Sequence, residues 1–89
     1  SLMGVDMVGN YKKVIAVFTK CVEYDTENSA MPYTYIAYNH SYKYQITPLP
    51  KIKKLCCANY AEAKSRLEST SADDLSIVNQ YLNAITICN

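Results

Sequence analysis

A chain of 89 residues with a net charge of +1 and 19% charged residues has no global field of the kind that draws nucleic acid, and no nucleic-acid partner is expected. Its 49% hydrophobic content excludes a disordered chain, and its longest apolar run falls short of the ~18 residues a membrane span needs. By length it is one small helical domain, 1–89, either whole or part of a longer protein, and a core of that size is marginal unless cross-linked or covered by a partner. Ser1 to Gly9 lacks the basic start and long apolar run of a secretory signal.

The first element lies between Gly9 and Asn28. Tyr11, Val14, Ile15, Phe18 and Val22 fall at helical spacing along one face, and most of the lysines fall outside it. Asn10 is the expected N-cap. The polar run Asp25–Ser29 should stop the helix, because these side chains bond to local backbone in competition with it. The β-branched residues between Val14 and Val22 leave a buried strand as the alternative.

Gly9, Asn10, Tyr11, Ile15, Phe18, Lys20, Cys21, Asp25 and Asn28, followed by Tyr33, Ile36 and Ala37, resemble the second helix of a tetratricopeptide repeat and the start of the next repeat. The pattern covers residues 9–40 and departs from the family at Val14, Thr26 and His40. The resemblance implies packed helical hairpins that present a groove to a peptide and do no chemistry.

Pro32 marks a new start, since proline is tolerated in a helix's first turn. Residues 33–46 can be read as a helix, with Tyr35, Tyr38 and Tyr42 on one stripe and Ile36, Ala37, His40 and Tyr44 on the next. They can also be read as a hairpin turning at Asn39–Ser41, which would make the chain α+β. Helix is preferred. Thr47–Pro50 is a break. A third helix is expected from about Lys51, with Ile52, Leu55, Cys56, Asn59, Tyr60 and Ala63 facing inward, ending near Ser69–Ser71. Ser71 or Asp73 should cap a fourth, which buries Leu75, Val78, Leu82 and Ile85 alongside Tyr81. The expected fold class is all-α, a bundle of about four helices.

Little in the chain points to catalysis. His40 could form a nucleophile and base pair with a cysteine, but nothing in the sequence orients it, and the chain is read as non-enzymatic. The four cysteines, Cys21, Cys56, Cys57 and Cys88, contain no C-x-x-C pair, so no metal or cofactor is expected. They are either free thiols or two disulfides tying Cys56 and Cys57 to Cys21 and Cys88, and free thiols are preferred. Adjacent residues on a helix point ~100° apart, so Cys56 and Cys57 are expected to serve different partners.

Nine tyrosines against one phenylalanine and no tryptophan suit half-exposed surfaces, because each hydroxyl wants water or a partner. Tyr35, Tyr38 and Tyr42, with Lys43, are the candidate binding face. Lys51, Lys53 and Lys54 add a modest basic patch. The preferred reading is a cytoplasmic module that binds a protein or peptide partner, with self-association into a homo-oligomer as a further expectation. The alternative is a secreted, disulfide-stabilised small protein such as a toxin, effector or ligand carrier.

Overall fold

The computed structural model describes residues 7–24 and 28–89, with side chains from Tyr11 onward. Among these residues the chain is all-α. Its helices are α1 (Met7–Glu23), α2 (Met31–Ile46), α3 (Pro50–Ser65) and α4 (Ala72–Ala84), with a 3₁₀ turn at Leu67–Ser69 and no strand. The expected small helical bundle forms, and the stretch 33–46 is helix throughout.

α1 corrects one expectation. It begins at Met7, so Gly9 and Asn10 lie inside it and Asn10 is not its N-cap. An interior glycine costs only ~1 kcal/mol against alanine, which a helix packed along α2 can absorb. The helix ends at Glu23, ahead of the polar run; Asp25, Thr26 and Glu27 lie outside the described residues. Beyond them Asn28 takes a left-handed φ of 57°, a conformation that asparagine tolerates better than most residues.

That turn is tied to the link between α3 and α4. Ser69 Oγ donates to the Asn28 carbonyl at 2.7 Å, and Arg66 donates to the Asn28 side chain. One residue on, buried Thr70 accepts from the Ala30 N–H at 2.9 Å and donates to the Arg66 carbonyl at 2.8 Å. Arg66 also pairs with Glu62 at 2.8 Å and lies over the Tyr33 ring. Two loops distant in sequence therefore share one polar network, and it fixes where α2 starts relative to α4.

α2 is the central helix, packed against α1, α3 and α4. Its buried residues are Pro32, Thr34, Ile36, Ala37, Asn39, His40 and Ser41, which wrap around the helix instead of forming one stripe. The polar ones bond close to home: Thr34 Oγ1 donates to the Ala30 carbonyl and Asn39 Nδ2 to that of Tyr35, each at 2.8 Å. Burying them therefore does not leave those donors unsatisfied.

α4 follows its sequence pattern, while α3 ends at Ser65, short of the expected Ser69–Ser71, where a separate 3₁₀ turn at Leu67–Ser69 takes over. Pro50 opens α3, and Ile52, Cys56 and Ala63 are buried, while Leu55 is 47% exposed. Ser71 caps α4 by accepting from the Asp74 N–H at 3.3 Å, and Val78, Leu82 and Ile85 are buried. The core joins Cys56, Val78, Leu82 and Ile85 to Ala30, Ala37 and Ala63, small side chains that let helices approach closely. No helix among the described residues is long and apolar enough to cross a membrane.

Candidate functional site

Helices joined by short links run antiparallel, so α1 and α3 both lie antiparallel to α2 and flank it. Between them an open groove of about 270 Å³ runs along α2. Ile15, Thr19 and Val22 of α1 form one wall, Leu55 and Asn59 of α3 the other, and Tyr33, Ile36 and His40 of α2 the floor. Each set follows helical spacing, so the groove is built from faces that a three-helix layer leaves partly uncovered.

Its polar residues turn inward on the protein. Thr19 Oγ1 donates to the Ile15 carbonyl at 2.7 Å, and Asn59 Nδ2 donates to the Leu55 carbonyl at 2.9 Å. His40 Nδ1 is 2.7 Å from the Tyr11 hydroxyl, which donates to it when the ring proton sits on Nε2. Burial holds the His40 pKa below its ordinary value, so the imidazole is neutral near pH 7. What the groove offers a visitor is chiefly apolar surface.

One end of the groove is basic. Lys12 and Lys51 are exposed one turn before Ile15 and Leu55. Lys43 of α2 places its Nζ 5.7 Å from the Tyr11 ring centroid. Because α2 is antiparallel to its neighbours, these three lysines fall at the same end of the layer.

The tyrosine face expected from sequence is only partly open. Tyr35 packs against Phe18 of α1 and Tyr81 of α4, with ring centroids 4.7 and 5.6 Å away, and Tyr38 meets Tyr81 at 4.8 Å. These rings join α4 and α1 to α2. Tyr42 remains exposed beside a smaller cleft of about 220 Å³ that Tyr38, Ser41, Gln45 and Ala84 complete. Lys43 faces Tyr11, so Tyr35, Tyr38, Tyr42 and Lys43 do not converge on one site. The groove could have been found from Ile15, Val22, Ile36 and Leu55, but their spacing reads equally as core.

The cysteines form neither four free thiols nor two disulfides. Cys57 is bonded to Cys88, Cys21 is a free thiol exposed on α1, and Cys56 is a buried free thiol. Cys56 and Cys57 do not pair with each other, and the chain after α4 passes over α3, bonding Cys88 to Cys57 and bringing its sulfur 3.6 Å from that of Cys56. The Cys56 thiol donates to the Ala37 carbonyl at 3.2 Å, and burial pushes its pKa up to about 11. Against known proteins the chain stands apart. No family, no curated protein and no solved structure matches it.

Proposed function

We propose that the chain is a non-enzymatic protein-interaction module whose groove takes an apolar side chain from a peptide or protein partner carrying acidic residues beside that anchor. The observation that carries this reading is the open, mainly apolar groove between α1, α2 and α3, with the Thr19 hydroxyl and the Asn59 amide N–H bonded to their own helices and lysines at one end. Its volume of about 270 Å³ lies just below the ~300–1,000 Å³ of small-molecule and cofactor sites, which favours a side-chain anchor. The tetratricopeptide resemblance of residues 9–40 points to the same class of activity. Selection from a random peptide library on the folded protein tests it. Enriched peptides should share an apolar residue flanked by Asp or Glu, and a pool that enriches nothing would count against the proposal.

A second reading is favoured by the Cys57–Cys88 disulfide. Disulfides persist in oxidising compartments and are rare in the cytosol, so the bond suits a secreted small protein in which the same groove holds a ligand or a target's side chain. Incubation in a glutathione buffer at the cytosolic ratio separates the two readings. A bond that is reduced there suits a cytoplasmic module, and one that survives suits export.

A further inference from the structure

The sulfur atoms of Cys56, Cys57 and Cys88 all lie within 4.8 Å of one another. Cys57 and Cys88 share the disulfide, and the free Cys56 sulfur is 3.6 Å from that of Cys88, in contact with one end of the bond. A thiol packed against a disulfide sulfur meets the proximity requirement of thiol–disulfide exchange; with all three sulfurs this close together its approach is oblique to the bond, so attack follows a turn of the side chains into line. Cys56 is fully buried and Cys57 half-buried, so which of the two is free decides whether solvent meets a thiol.

We propose that these three cysteines form an intramolecular thiol–disulfide exchange site, in which Cys88 alternates between Cys57 and Cys56. Cys56 gives up its proton and its thiolate attacks Cys88 Sγ. The Cys56–Cys88 bond forms as the Cys57–Cys88 bond breaks, and Cys57 leaves as a thiolate that takes up a proton. One thiol and one disulfide stand on each side of the step, so no outside oxidant or reductant is consumed. Exchange moves the free thiol from the core to the half-buried position, where an incoming thiol-reactive group or a partner's disulfide can reach it.

The rate is set by how often Cys56 ionises. Burial is the cause of its raised pKa; the ionisable side chains packed against its cluster, Tyr33 and Tyr38 of α2 and Tyr60 of α3, are not among the causes. Exchange should therefore be slow at pH 7 and rise about tenfold per pH unit through pH 9, following the thiolate fraction.

The test is alkylation of the folded protein by N-ethylmaleimide, followed by digestion without reduction and fragmentation between the two neighbouring cysteines. A Cys21→Ser background removes the exposed thiol. The expected product is maleimide on Cys57 with a Cys56–Cys88 disulfide, appearing faster at pH 9 than at pH 7. Label on Cys56 with Cys57–Cys88 intact, or no label in native buffer at pH 9, overturns the proposal. A Cys57→Ser variant in the same background gives a second check, with circular dichroism reporting its helix content. Oxidised glutathione should drive it to a Cys56–Cys88 disulfide, and a folded variant that keeps both thiols free also overturns it. The mapping of the parent protein decides the matter if that variant does not fold.

Discussion

Thr70 shows how much of the fold rests on single atoms. Its hydroxyl accepts from the Ala30 N–H and donates to the Arg66 carbonyl, joining the start of α2 to the end of α3. Thr70→Val keeps the shape and removes both bonds, leaving a buried donor at Ala30. The expected loss is about 1–3 kcal/mol in urea unfolding, against a change within ~0.5 kcal/mol for Ser76→Ala on the exposed face of α4. His40 supplies a second prediction. Its folded pKa lies below the unfolded value, so between the two the unfolded chain binds more protons and stability falls as pH falls. The melting temperature should drop as pH is lowered from ~6.5, the unfolded histidine value, and His40→Gln should remove that part of the drop. An unchanged pH profile in the variant would show that His40 is not its source.

At the scale of elements, α3 and α4 were the most legible, because each has one packed face and a clear start at Pro50 or Ser71. α2 was the least legible, and its position explains why. A helix packed by three others spreads its buried residues around its circumference, so the single stripe that marks a surface helix is missing. Its tyrosines and β-branched residues then imitate a hairpin, and its buried Thr34 and Asn39 look like surface. The sequence favours four free thiols over two disulfides, and the single Cys57–Cys88 bond depends on where the chain goes after α4, which no local pattern encodes. That bond closes a separation of 31 residues and in the chain-entropy view contributes about 3–4 kcal/mol. Cys88→Ser, or reduction of the parent protein, should lower urea stability by roughly that amount. Loss of less than ~1 kcal/mol would place the stability in the helix packing alone. Leu82→Ala, at 2% exposure, should cost ~2–5 kcal/mol and tests whether α4 is anchored by its buried face.

Across the whole molecule, the groove and the polar network that meets it at Tyr33 follow from the same arrangement. Short links force α1 and α3 to flank α2, small core residues draw the layer together, and α4 with its tyrosine contacts covers another side of α2. Among the described residues the strip between α1 and α3 stays open, and Leu55 on its wall is half exposed. The sequence placed Leu55 in the core stripe of α3 and put the binding face at Tyr35, Tyr38 and Tyr42. The first used true helical spacing but lacked the knowledge of which neighbour stops short, and in the second Tyr35 and Tyr38 pack against Tyr81 of α4 while Tyr42 stays exposed. Burial of one aliphatic anchor is worth ~1.5–3 kcal/mol, enough for a tenfold to hundredfold effect on affinity.

The most direct measurement is the affinity of one library-selected peptide for the parent protein and for two folded variants, Leu55→Asp and Tyr42→Ala. The groove account predicts that Leu55→Asp weakens binding at least tenfold while Tyr42→Ala leaves it within about twofold. Binding that ignores Leu55→Asp and fails with Tyr42→Ala would contradict it and return the site to the tyrosine face.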